Sequence, residues 1–239
     1  MSEVCMDRGY REVNLNLGCP SGTVVSKHKG AGILLDLRSL DDFLADIFER
    51  CPIRVSVKTR LGIHSSEEFP AILEIYNKYP ISELIIHARV RDGMYKSVPD
   101  IESFKRAFDD CRSTVIYNGD IFTPAKLEAL KSSVPKLCSV MIGRGAAADP
   151  ALFRRLNGGA RLTADELRVF HDALADAFVS AVGEHFALAR LKELWYYMIY
   201  MFSDCAKAHK QLNKSVTLSD YRSAVDMLFS TCIFDPEKG

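Results

Sequence analysis

The chain has 239 residues, 48% of them hydrophobic and 26% charged, which is enough apolar material for one large domain or a medium domain with an appendage. Its 31 Lys and Arg balance 31 Asp and Glu, which excludes a bulk-charge argument for a nucleic-acid partner and leaves only local patches to make one. The seven cysteines are scattered with no CxxC pair, against a disulfide framework or a metal site and for a reducing compartment. No secretory leader pattern opens the sequence, and the most apolar run, around 194–202, is too short to span a bilayer. The expectation is a soluble cytoplasmic protein with no metal and no membrane contact.

Residues 1–12 read as the tail of a helix feeding a first strand. In VNLNLGCP (13–20), Val13, Leu15 and Leu17 alternate with Asn14 and Asn16, the period of a strand, and Gly18 and Pro20 then stop it. Cys19 is left at the strand's carboxyl end, where α/β folds collect reactive groups. Burial as a small filler is the competing use of a free cysteine there.

Next, Leu40, Phe43, Leu44, Ile47 and Phe48 mark an amphipathic helix over 37–51, with Ser39 and Asp42 as its capped start. The same strand-then-helix unit recurs. Strand 53–62 precedes a helix near 67–78, and strand 83–89 precedes one at 100–108. Strand 114–120 precedes a helix opened by Thr123 and Pro124, and strand 137–145 precedes one opened by Asp149 and Pro150. Each strand carries a polar residue at its carboxyl end: Cys19, Lys58, His87, Asn118, Gly143. Their spacing of roughly 25–39 residues is that of a βα repeat. Five such units imply a parallel sheet with one functional edge, either part of a (β/α)₈ barrel or an open doubly wound sheet.

From about residue 160 the strand signal stops. Thr163 and Glu166 form a capping box, and helical periodicity runs through most of 164–205 and again through 218–230.

The strand ends suggest a chemistry. His87 follows an apolar run, where a satisfied core histidine is the common outcome. Arg89, two residues on, shares its face and makes a paired donor site reasonable. Asn118-Gly119-Asp120 and Gly143-Arg144-Gly145 are glycine-bearing turns after successive strands, suited to a phosphate, with Arg144 as a charge-assisted fork. A phosphate cradle, a lysine, a histidine and a distant cysteine suit an extended phosphorylated cofactor. Flavin mononucleotide fits better than a dinucleotide, because no GxGxxG fingerprint is present.

In order and spacing, NLGCP, VKTRLG, IIHAR, NGDI and MIGRG followed by Asp-Pro resemble the tRNA-dihydrouridine synthases, over about residues 10–156. The resemblance implies an FMN-binding (β/α)₈ barrel followed by an all-helical domain that helps hold tRNA. It also implies NADPH as reductant, and hydride delivery to C6 of a uracil flipped out of the tRNA. By the same resemblance Cys19 is the catalytic acid that protonates C5. Asn16 meets the uracil edge, and Arg89 the substrate. Lys58 and His87 contact the flavin ring or ribityl chain, and Asn118, Gly119, Asp120, Gly143 and Arg144 its phosphate end.

The chain departs from the family pattern in lacking an opening Ala-Pro-Met strand and an early glutamine. Eight units need ~250 residues, so the expectation is an incomplete barrel domain over 1–156, without its first three strands, and a helical tRNA-binding domain over 160–239. Open sheet edges would favour self-association. Arg190, Lys192, Lys207, Lys210 and Lys214 are candidates for an RNA-facing patch; Trp195 and Tyr196 nearby could stack on bases, but a core role is the favoured reading for these two aromatics. Competing functions are a flavin barrel reducing a free pyrimidine, dihydroorotate dehydrogenase-like, and an inactive remnant.

Overall fold

A computed structural model describes residues 2–236. The chain divides into two compact units, Met1–Gly119 with Lys131–Met141, and Asp120–Leu130 with Ile142–Gly239.

In the first unit a short helix α1 (Ser2–Asp7) precedes strand β1 (Glu12–Asn16). After β1 come a single turn α2 (Gly22–Val25), a 3₁₀ segment (Gly30–Leu35) and helix α3 (Leu37–Arg50). Strand β2 (Arg54–Arg60) leads through a capped 3₁₀ turn to α4 (Phe69–Tyr76), and β3 (Glu83–His87) leads to α5 (Ile101–Asp110). Strand β4 (Thr114–Asn118) and strand β5 (Ser139–Met141) complete this unit; helix α6 (Pro124–Ser133), which lies between them in the chain, belongs mostly to the second unit. The five strands pair in parallel in the order β1-β2-β3-β4-β5. A doubly wound sheet reverses direction at a switch point. This one never reverses, so it is the arc of a (β/α) barrel followed by helices, the first of the two expected architectures.

Burial explains the strand residues. Leu84, Ile85, Ile86 and His87 are all buried, the mark of a central parallel strand covered on both faces. Helix α5 supplies part of that cover, the ring of Phe104 standing edge-on to Tyr117 of β4 at 4.9 Å. The Tyr76 hydroxyl of α4 donates to Thr59 Oγ1 of β2 at 2.9 Å.

Two expected helix starts are corrected. Helix α3 is capped by Asp36, not Ser39: the Asp36 carboxylate accepts from the Arg38 backbone N–H and from the Ser39 hydroxyl. The last strand shrinks to three residues, and the next helix, α7 (Arg144–Ala148), begins directly at Arg144. Asp149 and Pro150 thus follow a helix, and the Asp149 side chain accepts from Ala151 N before α8 (Leu152–Leu156).

In the second unit the Thr163–Glu166 capping box opens α9 (Ala164–Val182) as expected, followed by α10 (Glu184–Met198), α11 (Ala206–Lys214) and α12 (Leu218–Thr231). The sequence gives no sign of a two-stranded antiparallel ladder here, β6 (Phe202–Ser203) with β7 (Ile233–Phe234). The helices share one apolar core that includes Leu167, Leu191, Trp195, Tyr221 and Leu228. A directional chain of hydrogen bonds runs through it. The Trp195 indole N–H donates to the Tyr221 hydroxyl at 2.7 Å, and that hydroxyl lies 2.6 Å from His171 Nε2. Indole nitrogen only donates, so the Tyr221 proton goes to Nε2, and His171 Nδ1–H is left for Asp172, 2.8 Å away. Burial lowers the His171 pKa and so favours this neutral form.

Tyr221→Phe orphans the indole N–H and the imidazole acceptor together. Leaving a buried polar group unpaired costs about 1–3 kcal/mol. Denaturation followed by the fluorescence of Trp195, the chain's one tryptophan, is expected to show that loss. An unchanged midpoint would mean the chain adds nothing to stability.

Candidate active site

The loop after β1 is fixed by backbone groups. Leu17 N donates to Lys58 O of β2 at 2.8 Å, and Gly18 N to the side-chain oxygen of Asn16 at 3.2 Å. Ala31 N donates to Cys19 O at 3.0 Å. Gly30, at φ +55°, lies so close that a Cβ there would be 2.8 Å from Cys19 Cβ, so only glycine serves on both counts. Cys19 is half-buried. Asn16 is exposed, and its Nδ2 has no hydrogen-bond partner among the described residues.

Lys58 lies across the ladder from Asn16. Its amine makes no hydrogen bond or ion pair among the described residues. Burial chiefly, then the nearby Arg60 charge, lower its pKa to about 8, and interaction with Cys19 opposes them. Two residues on, Arg60 is 1% exposed. Its Nε donates to Gly18 O at 2.9 Å, and one terminal nitrogen donates to Val90 O and Met94 O, each at 3.1 Å. Sequence reasoning placed Arg60 on the Lys58 strand but gave it no role. The available signal was a second cation at i+2 from Lys58, at the carboxyl end of the strand.

His87 and Arg89 come together as expected of a shared face. Both are buried, with an Arg89 terminal nitrogen 3.4 Å from His87 Nε2, a long contact, while Arg89 Nε donates to Ser97 O at 2.7 Å. The His87 ring lies 6.0 Å from that of Tyr95. Asn118 spends one amide hydrogen on Met141 O at 2.8 Å, tying β4 to β5. A Cβ on Gly119 would meet the Tyr117 hydroxyl at 2.7 Å.

Three of the expected phosphate residues belong to the second unit. Gly143 is the N-cap of α7 and has open space where its Cβ would be. Arg144 stacks over Phe122 and forms an ion pair with Asp120. Asp120, at φ +32°, is one of four described non-glycine residues with positive φ. The Asp120 carboxylate therefore already occupies the Arg144 fork. A Cβ on Gly145 would sit 2.0 Å from Ile121 O, so that glycine is a packing requirement.

Residues 1–226 match the family model described as dihydrouridine synthase. The chain belongs to that family. It is 32% identical over 157 residues to a probable tRNA-dihydrouridine synthase of Rickettsia bellii, with 63% of this chain and 46% of the relative covered. Similarity to a tRNA-dihydrouridine(16) synthase of Cupriavidus necator is 33% over 149 residues, covering 61% and 46%. A tRNA-dihydrouridine(20/20a) synthase of Vibrio vulnificus is 30% identical over 165 residues, covering 63% and 49%. The chain spans about half the length of these curated relatives.

As a dihydrouridine synthase family member it carries a helical region whose candidate RNA contacts divide. Trp195 is fully buried, a core residue that cannot stack on a base, whereas Tyr196 is 66% exposed. Lys192 donates to Ser215 O at 2.9 Å and Arg190 to Glu193 at 3.0 Å. Lys207, Lys210 and Lys214 are exposed along α11 at helical spacing. No helix among the described residues is long and apolar enough to cross a membrane.

Lys58 yields a pH test. Its folded pKa of about 8 is below the unfolded lysine value, so the folded state is penalised below that pH. The penalty is relieved as pH rises toward the unfolded pKa. Lys58→Met is expected to raise the Tm at pH 7, with a gain that shrinks by pH 10. An equal gain at both pH values would contradict the depressed pKa.

Proposed function

We propose that this chain takes part in the flavin-dependent reduction of tRNA uridines to 5,6-dihydrouridine, with Cys19 as the proton donor. The observation that carries this reading is the Cys19 loop, anchored on both sides of the thiol and within electrostatic reach of two cations, Lys58 and Arg60. Neither cation has a carboxylate partner among the described residues.

The residues present fit an electron-rich, phosphorylated cofactor. The Lys58 amine is half-buried and unpartnered, a site that asks for an anionic or carbonyl group. On the family resemblance, Lys58 and His87 would serve the ring or ribityl chain of FMN, and Asn118, Gly119, Gly143 and Arg144 its phosphate end, with Asp120 there as the carboxylate that Arg144 gives up. Bound there and reduced by NADPH, FMN would supply the hydride for uracil C6.

The chain's own residues provide the rest. Asn16 offers its free amide hydrogens to a uracil carbonyl, with Arg89 as a further substrate contact. The Cys19 S–H bond breaks as a C–H bond forms at C5, and the electron pair stays on sulfur. Lys58 and Arg60 stabilise that thiolate, whose formation would otherwise be costly in a half-buried loop. A uracil must leave its stack to reach the thiol. The exposed lysines of α11 favour tRNA over a free pyrimidine, since a small base has no use for a cationic helix. On this reading residues 160–239 hold tRNA in the cytoplasm, and the edges at β1 and β5 are where copies of the chain would associate.

The test is dihydrouridine formation in tRNA by the purified chain with FMN and NADPH. Cys19→Ala is expected to reduce the rate by roughly 10²–10⁴-fold, the usual worth of a positioned general acid, while leaving FMN fluorescence quenching saturable. Undiminished reduction by Cys19→Ala would remove the cysteine from the mechanism. Saturable FMN binding with no dihydrouridine formed by the wild-type chain would remove the function.

A further inference from the structure

Arg60 has an unusual set of partners for a buried cation. Arginine side chains at 1% exposure are normally matched by a carboxylate. Here three backbone carbonyls take that place, from two segments far apart in sequence: Gly18 O on one side, Val90 O and Met94 O on the other. The guanidinium also lies 5.4 Å from the centre of the Tyr95 ring and hydrogen-bonds the Tyr95 side chain, a neutral partner like the carbonyls. Gly18 O belongs to the peptide that joins Gly18 to Cys19. On the far side of the thiol, Cys19 O is held by Ala31 N at 3.0 Å. A Cβ on Gly18 would press on the Thr59 backbone at 3.2 Å, so the loop lies directly against β2.

We infer that Arg60 is a positioning residue: its planar fork ties the Cys19 loop to the 90–95 segment and so sets where the thiol stands. This rests on the reading of Cys19 as proton donor. Fork geometry does the work, because one guanidinium donates along several fixed directions at once, whereas an ammonium on a flexible stem cannot span both segments. Carbonyl partners leave the positive charge unneutralised, so the same group that fixes the thiol also faces the thiolate left after proton transfer. A carboxylate partner would have spent that charge.

Lysine at position 60 separates fork from charge. In Arg60→Lys, hydrogen exchange over the Cys19 loop is expected to accelerate, and alkylation of Cys19 by iodoacetamide to rise severalfold, read by mass spectrometry. The other six cysteines serve as controls for folding. In the tRNA assay kcat is expected to fall roughly 10- to 100-fold, the scale of a small misplacement of a reacting group, with KM for tRNA near the wild-type value. Arg60→Met is expected to give the same loop exchange. If it unfolds, the lysine variant carries the test, since it keeps length and charge. Wild-type loop exchange and Cys19 alkylation in Arg60→Lys would overturn the proposal. The outcome is distinct from that for the reaction itself: a loosened loop in Arg60→Lys beside an active Cys19→Ala would leave the tether standing and remove the proton-donor role.

Discussion

In a parallel ladder every strand enters at one edge of the sheet and leaves at the other, so each connection must return the full length of the sheet before the next strand begins. Here strand order follows chain order from β1 to β5 without a reversal. The residues that end the strands are thereby collected on one edge whatever their separation in sequence. Asn16 stands beside Lys58 because β1 and β2 pair in that register, and Arg60 beside His87 because β2 and β3 do. The apolar strand interiors secure the register, since slipping by one residue would send a whole buried face to solvent. Chemistry at the strand ends thus depends on packing in the strand middles.

That edge is strongly cationic. Lys58, Arg60 and Arg89 gather there, and among the described residues neither Lys58 nor Arg60 has a carboxylate partner. Such a concentration of positive charge is destabilising by itself, and part of the cost shows in the lowered Lys58 pKa. On the proposed reading, that charge would face the thiolate formed at Cys19. The helical unit is arranged oppositely. Its cations are largely matched, Arg168 by Asp172 and Asp226, Arg222 by Asp176 and Arg190 by Glu193. The exposed lysines of α11 stand outside that pattern.

How far the sequence disclosed this follows from the range of each interaction. The strands at 13–17 and 83–89 were legible because burial writes a period or an apolar run directly into the residues. The Thr163–Glu166 cap was legible because its partners are three residues apart. Asp36 was missed as the cap of α3 because Ser39 is equally capable in isolation, and only the fold shows its hydroxyl donating to Asp36. The β6–β7 ladder, two residues on each side, is too short to hold a period. A core role for Trp195 was legible from its apolar surroundings, but its partner was not, since the Tyr221 hydroxyl that accepts from its indole N–H comes from another helix. Arg60 escaped for the strongest reason: its partners are main-chain carbonyls 30–42 positions away, and any residue type supplies a carbonyl.

The Asp120–Arg144 pair changes how an anion would be held near Gly143. An open guanidinium would bind an incoming anion for the full value of the new contact. A guanidinium already holding a carboxylate binds by exchange, and the gain is only the difference between two ion pairs. The displaced Asp120 must also be kept apart from the newcomer, since two anions on one fork repel. Exchange of this kind favours a dianion with several oxygens over an anion with fewer charges and acceptors. If Arg144 serves an anion as proposed, the carboxylate would make it selective by keeping it occupied.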